Sequence, residues 1–427
     1  MKASAFIYDL GGFKYFNIRT RKFYNLKNDL GSLIASARDN SKINSWLVKN
    51  YFVTECENYE DEIREFNNIK KIRNRNEITI TFTVTTKCEQ KCAYCFQNHT
   101  DRSSMDIDTI NNLEKLLLNE IESNKELKII NLILFGGEPL LEKELCHELI
   151  DRVSKIKTNN NLIINTVLTT NGNVIDIDLF DKFKVFDTRA VQITFDGTEA
   201  DHNKSRGGGS DSFFQEIVKK LKVYEQYFSV CIKYNFNKKN INQFSSLVDT
   251  IENNFAKKNH LYKLEALQTS LSYSDQDYFY HINDKSLSLA YLELAKICID
   301  KGVYYDIESI FRPPCSVGAP YSLTVEPNGD LSSCVSAFSI PFFKIGNIRE
   351  TDSLWIERDR FIPKINPDDV CVKTKCAFYP ICETGCIYEK VVSGDDSIIC
   401  RKKFYNEFIP ELHSIREQSN EDDKLSY

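Results

Sequence analysis

From Glu77 to Lys301 the chain alternates short, β-branched apolar runs with longer amphipathic stretches, and few folds accept that alternation six times in succession. Strand candidates fall at 78–85, 129–135, 162–169, 190–195, 228–236 and 262–268. Apolar residues at helical spacing mark 107–122, 141–156, 177–183, 212–225, 241–255 and 286–301. The pattern predicts an α/β fold: a parallel sheet curved into a partial (β/α)6 barrel, with its active site at the C-terminal ends of the strands.

Both flanks read differently. Ahead of the barrel lie a strand-like piece at 14–24, helical spacing through Leu30, Leu33 and Ile34, and a second stretch at 43–53. The acidic run 55–65 and the Asn- and Arg-rich 67–76 read as a polar linker, so 1–75 is expected to be a small α+β module. Beyond Lys301 helical periodicity lapses, seven cysteines fall between Cys315 and Cys400, and turn signals such as Pro327-Asn328-Gly329-Asp330 intervene. This predicts a loop-rich region held by metals. The expected division is 1–75, 76–301 for the barrel, 302–416 for the cysteine-rich region and 417–427 for a frayed tail.

At 427 residues, the chain has room for one central domain with two attachments. Its 55 Lys and Arg and 61 Asp and Glu are interspersed and leave a net charge of -6, which argues against nucleic acid as a main partner. No run approaches the roughly 18–20 apolar residues of a membrane helix, and residues 1–16 lack a signal peptide's pattern. A cytoplasmic protein without a membrane partner is expected. In that reducing compartment its 14 cysteines read as ligands or catalytic groups rather than disulfides.

Cys88, Cys92 and Cys95 follow the first strand candidate directly. Three thiolates on one loop can hold three irons of a four-iron, four-sulfur (4Fe-4S) cluster and leave the fourth open. Zinc is the alternative, but it wants a fourth ligand, and His99 is the only nearby one. The spacing C-x3-C-x2-C, with aromatic Tyr94 before the third cysteine, resembles the radical S-adenosyl-L-methionine (SAM) superfamily from Glu77 to about Lys301. The resemblance implies that the open iron binds the amino and carboxylate groups of SAM. Reductive cleavage then yields a 5'-deoxyadenosyl radical that abstracts a substrate hydrogen. Gly136-Gly137-Glu138-Pro139, at the end of the second strand, is similar to the motif that holds the SAM amino group. Thr170-Asn171-Gly172 and Thr194-Phe195-Asp196-Gly197, with Arg206 beyond, resemble further motifs of the peptide-modifying branch, here with Thr194 in a usual Ser position. They imply SAM contacts at Tyr94, Asn171, Thr194, Asp196 and Arg206. Asp196 also reads as a turn-forming Asp-Gly, and His202 as a structural histidine.

Cys315, Cys334, Cys371, Cys376, Cys382, Cys386 and Cys400, with Gly329 five positions before Cys334, resemble a SPASM domain. One spacing departs from that pattern, because Cys371 and Cys376 are separated by four residues where two are usual. The resemblance implies two auxiliary 4Fe-4S clusters, three in all, with Cys315, Cys334 and Cys386 on one and Cys371, Cys376, Cys382 and Cys400 on the other. The first set lacks a fourth cysteine, which leaves either an open iron or Cys298, itself more simply a core residue. A zinc ribbon remains the alternative for this region. Cys56, Cys146 and Cys231 read as buried hydrophobes.

These resemblances imply an enzyme that matures a ribosomally made precursor peptide by a thioether or carbon-carbon crosslink. A flavodoxin or ferredoxin would reduce it. The N-terminal module is similar to precursor-recognition domains, which bind a leader peptide as an added strand. An anaerobic sulfatase-maturing enzyme, which makes formylglycine, is the second reading. That family commonly reads Cys-Phe-Tyr, whereas Gln97 follows Phe96 here, and about 75 residues precede this barrel. A non-catalytic, metal-bound peptide-binding scaffold is the third. No catalytic side chain is singled out by the sequence.

Overall fold

The computed structural model describes residues 1–92, 94–97, 102–207, 212–255, 260–267, 280, 285–306, 310–311, 315–317, 319, 321–338, 340–350, 370–382, 385–394 and 400–419. His99 lies outside the described residues.

The first elements are β1 (Lys2–Ala3), β2 (Ile7–Gly11), β3 (Lys14–Asn17), β4 (Lys22–Asn25), α1 (Leu30–Ser36), α2 (Ser41–Lys49), β5 (Val53–Thr54) and α3 (Tyr59–Arg75). β2, β3 and β4 form an antiparallel sheet, and β1 pairs with β5. Tyr15, Leu30, Leu47, Phe52 and Val53 make a small core of their own, whereas Phe6, Phe16, Ile18, Tyr59 and Ile63 join the main core. The module therefore has two sides, one self-contained and one docked. The expected polar linker is instead helix α3. Its first turn carries Glu60, Asp61 and Glu62, which suit the positive end of a helix, while Tyr59 and Ile63 supply a buried face at i, i+4.

Six parallel strands then run in sequence order: β6 (Glu77–Thr85), β7 (Ile129–Gly136), β8 (Ile163–Thr170), β9 (Thr188–Phe195), β10 (Ser229–Phe236) and β11 (Leu261–Ala266). Between and after them lie α4 (Ile107–Ser123), α5 (Lys143–Asn159), α6 (Ile177–Lys182), α7 (Glu199–Arg206), α8 (Phe213–Tyr227), α9 (Phe244–Glu252) and α10 (Lys285–Lys301). Asp106 caps α4 by accepting from the Thr109 N–H at 2.8 Å, and Asp176 caps α6 through Leu179 at 3.0 Å. Along β7, Ile130, Leu132 and Leu134 are sealed while Asn131, Ile133 and Phe135 stay partly accessible. That is the alternation of a strand with helices on one face and a lumen on the other. Each sealed side chain contributes roughly 1.5–3 kcal/mol. At the strands' N-terminal ends, Asn131 donates to the Glu77 carboxylate and Asn165 to Asn131 Oδ1 at 2.9 Å, so polar groups line the barrel floor.

The sheet does not stop at the barrel. β12 (Tyr304–Tyr305) adds to β11, and at the opposite edge β13 (Ser322–Val325) pairs in parallel with β6, followed by antiparallel β14 (Asp330–Ser332) and β15 (Lys344–Asn347). Three short helices, α11 (Val370–Lys373), α12 (Tyr379–Cys382) and α13 (Ile387–Ser393), accompany the later cysteines. The region is loop-rich as expected, but it ends in a long helix that the sequence reading missed, α14 (Lys402–Gln418), which extends two residues into the expected tail. Phe404, Tyr405, Phe408, Ile409 and Leu412 bury one side of it, with Phe404 and Phe408 against Tyr291 of α10.

Candidate functional site

β6 leads through Thr86 and Lys87 into the loop of Cys88, Cys92 and Cys95. The end of β7 is the seat of that loop: the Gly137 N–H donates to the Thr85 carbonyl and the Glu138 N–H to the Lys87 carbonyl, both at 2.8 Å. A Cβ on Gly136, whose φ is +151°, would collide with the Thr85 carbonyl, and one on Gly137 with the carbonyls of Thr86 and Lys87. These glycines thus admit the chain's own backbone. On the other side the Lys91 N–H donates to the Arg206 carbonyl at 3.2 Å. Burial pushes the Cys88 thiol up to about 12 and the Cys92 thiol up to about 11, and raises Cys95 as well. Such thiols become thiolate ligands when a metal displaces their protons.

Tyr94 ties the loop to the barrel. Its hydroxyl donates to the Asp196 carboxylate (2.6 and 2.7 Å to the two oxygens) and accepts from Arg206 Nη1 at 2.7 Å and Asn235 Nδ2 at 3.2 Å. Arg206 also donates from Nε to Gln90 Oε1 at 3.0 Å and faces Asp196 Oδ1 at 3.4 Å, while Ser205 donates to Asp196 Oδ2 at 2.7 Å. A buried charge pair persists only when its remaining donors and acceptors are met, and here they are met by the loop. Three elements, the end of β9, α7 and β10, are fastened to one cysteine loop in this way. Gln90 and Asn235 were missed from sequence because an isolated amide carries no pattern.

His202 sits between Phe195 and Phe214 and accepts the Asp196 N–H at a long 3.5 Å. Burial, helped by the Arg206 charge, lowers its pKa to about 3, so it is neutral, in keeping with a structural role. Glu138 is fully buried and accepts from the Thr170 hydroxyl (2.8 Å), the Asn171 N–H (2.7 Å) and the Leu140 N–H (3.1 Å). Burial pushes its pKa up to about 7 against the pull of those bonds. Asn171 brings Nδ2 to 3.9 Å from Cys88 Sγ, and Thr194 is buried two residues before Asp196. Tyr94, Gly136, Gly137, Glu138, Asn171, Asp196 and Arg206 are thus gathered around the three cysteines.

Residues 82–236 match the family model described as Radical SAM superfamily. Residues 82–236 form a radical SAM domain. Over 225 residues the chain is 25% identical to the radical SAM cyclopropyl synthase TigE of Paramaledivibacter caminithermalis, covering 49% of this chain and 46% of that one. The chain spans under half the length of the curated relatives it matches. Native anSMEcpe with bound AdoMet and Kp18Cys peptide superposes with a TM-score of 0.60 at 19% identity, over 80% of this chain and 99% of that one. Streptococcus suis SuiB bound to precursor peptide SuiA gives 0.56 at 15% identity, over 93% and 97%. At such identities the likeness establishes a common fold.

A radical SAM domain is expected to carry SAM and an iron-sulfur cluster. The cysteine loop fits both groups. It offers three thiols, and beside them lie buried polar atoms without a protein partner, both carboxylate oxygens of Glu89 and Gln90 Nε2.

The C-terminal cysteines form two neighbourhoods. Burial pushes Cys334 up to about 12, with the Cys315 and Cys386 thiols adding to the shift. Cys376 is raised by burial with Cys382 and Cys400 acting on it, and its N–H donates to the Cys371 carbonyl at 2.9 Å. Among the described residues no three His, Cys, Asp or Glu side chains are grouped to hold a single metal ion. A 4Fe-4S cluster takes each thiolate on a different iron, so its ligands need not converge on one point. Cys146 and Cys298 are buried, as expected, but Cys56 and Cys231 are not. Cys56 donates to Glu65 Oε2 at 3.1 Å, and Cys231 stands on the lumen side of β10, opposite the sealed Val230 and Ile232. Among the described residues no helix is long and apolar enough to cross a membrane.

Proposed function

We propose that this chain is a radical SAM enzyme that modifies a ribosomally made precursor peptide, forming a thioether or carbon-carbon crosslink. Cys88, Cys92 and Cys95 would hold the SAM-binding 4Fe-4S cluster. Bound there, SAM supplies a radical able to take hydrogen from an unactivated carbon. Glu138 and Asn171 would receive the amino end of the cofactor, while Thr194 lines the same level of the barrel. Tyr94, Asp196 and Arg206 keep the loop rigid beside it, and the polar barrel floor closes the lumen below. Cys315, Cys334 and Cys386 would hold one auxiliary cluster, and Cys371, Cys376, Cys382 and Cys400 the other. The observation that carries this reading is the pair of C-terminal cysteine neighbourhoods joined to the barrel sheet through β13. Auxiliary clusters beside a radical SAM barrel suit substrate ligation and electron transfer during crosslinking. A peptide substrate also agrees with the precursor peptide bound to SuiB.

Formylglycine formation is the second reading, favoured by the fold shared with anSMEcpe. Incubation of reduced, cluster-loaded protein with peptides encoded beside its gene separates the two. A product lighter by a pair of hydrogens, with two residues joined in its fragment spectrum and no reaction with a hydrazine probe, indicates a crosslink. A hydrazine-reactive aldehyde at one residue, formed from Cys by exchange of sulfur for oxygen with loss of two hydrogens or from Ser by loss of two hydrogens, indicates formylglycine. A peptide returned unchanged while SAM is consumed would refute both.

A further inference from the structure

We infer that Glu89 is a second counter-charge, beside Glu138, for the cationic methionine end of SAM. The inference rests on the reading that SAM binds at this loop. Both Glu89 carboxylate oxygens are closed off from solvent and make no hydrogen bond. A second carboxylate belongs to the same neighbourhood: Glu138, fully buried, is fixed to this loop by its N–H to the Lys87 carbonyl, and the Glu89 charge acts on both Glu138 and Cys88. The cations of this region are otherwise engaged or remote. Lys87 pairs with Glu142 at 2.7 Å, Arg206 is taken up by Asp196, Tyr94 and Gln90, and Lys91 is exposed.

Carboxylate oxygens sealed from water without a partner are costly, and with Glu138 bonded only by neutral donors nearby, the pair calls for positive charge or N–H donors from outside the chain. SAM brings a sulfonium charge and the N–H donors of its amino group, the partners that sealed carboxylate oxygens lack here. Gln90, only 1% exposed, adds an independent sign, because its Nε2 is buried without an acceptor. Unsatisfied groups of both kinds on neighbouring residues complement a zwitterionic amino-acid moiety.

The test is equilibrium binding of SAM and of S-adenosylhomocysteine to anaerobically reconstituted full-length protein, with iron content measured alongside. Glu89→Gln is expected to weaken SAM about tenfold or more with iron unchanged, and Glu89→Asp to weaken it less. S-adenosylhomocysteine keeps the ammonium and lacks the sulfonium. A loss shared by both ligands assigns Glu89 to the ammonium, and a loss confined to SAM assigns it to the sulfonium; either supports the inference. Unchanged SAM affinity in cluster-loaded Glu89→Gln overturns it. If that variant fails to take up iron, Glu89→Ala and Glu89→Ser replace it, and failure of every neutral variant to load would assign Glu89 to cluster assembly and also overturn the inference. Wild-type protein that loads iron yet binds no SAM would instead overturn the proposed function.

Discussion

His202 shows how a single buried group sets the response of this site to acid. Its pKa is lowered from an ordinary 6.5 to about 3, so the folded chain holds the ring neutral while the unfolded chain protonates it. The stability this contributes is intact above about pH 6.5 and is lost progressively as pH falls toward 3. Replacing His202 by Gln, which does not titrate, should flatten that acid limb. Thermal unfolding of both proteins from neutral pH downward measures it, and parallel curves would contradict the assignment. The same scale shows what a sequence hides. Cys88, Cys92, Cys95 and Glu138 are legible because spacing and strand-end position mark them, whereas Asn235 and Glu89 acquire meaning only from what folds against them.

α3 and α14 carry the chief lesson among the elements. Both were missed, and both are fixed by tertiary packing. The buried face of α3 is short and set in a strongly polar stretch, while Pro410 interrupts the helical pattern of α14. The six barrel strands were legible because each is a short apolar run rich in β-branched residues, followed by a longer stretch at helical spacing. β13 was not, since it is four residues long and its partner β6 is more than two hundred residues earlier in the chain. These elements also join the two flanks. The Tyr59 hydroxyl donates to the Cys376 carbonyl at 2.6 Å, Phe16 meets Phe311 at 4.9 Å, Tyr8 meets Phe378 at 5.4 Å, and Phe23 stacks on His413 at 5.1 Å. Deleting residues 1–73 would bare these aromatic contacts. We expect the truncated protein to melt lower and to lose iron held by Cys371, Cys376, Cys382 and Cys400, with the barrel cysteines retaining theirs. Full iron content and an unshifted melting curve would show that the module is merely appended. The expectation that this module docks a leader peptide is therefore better probed at β2 and β4, the outer strands of the three-stranded sheet, than by deletion.

For the molecule as a whole, a radical SAM barrel shares its sheet with a C-terminal region, and the N-terminal module packs against that region. On the proposed reading of three clusters, about eleven or twelve irons per chain are expected after anaerobic reconstitution. About four would leave the C-terminal thiols without clusters, and zinc in their place would restore the ribbon alternative. Reductive cleavage of SAM is what every other proposal depends on. The decisive measurement is 5'-deoxyadenosine formation by reduced, cluster-loaded protein, made in parallel on the variant with Cys88, Cys92 and Cys95 all replaced by Ala. The expected result is production by the wild type and none by the variant, whose C-terminal cysteines keep their iron; production by the variant, or none by fully loaded wild type, would contradict it.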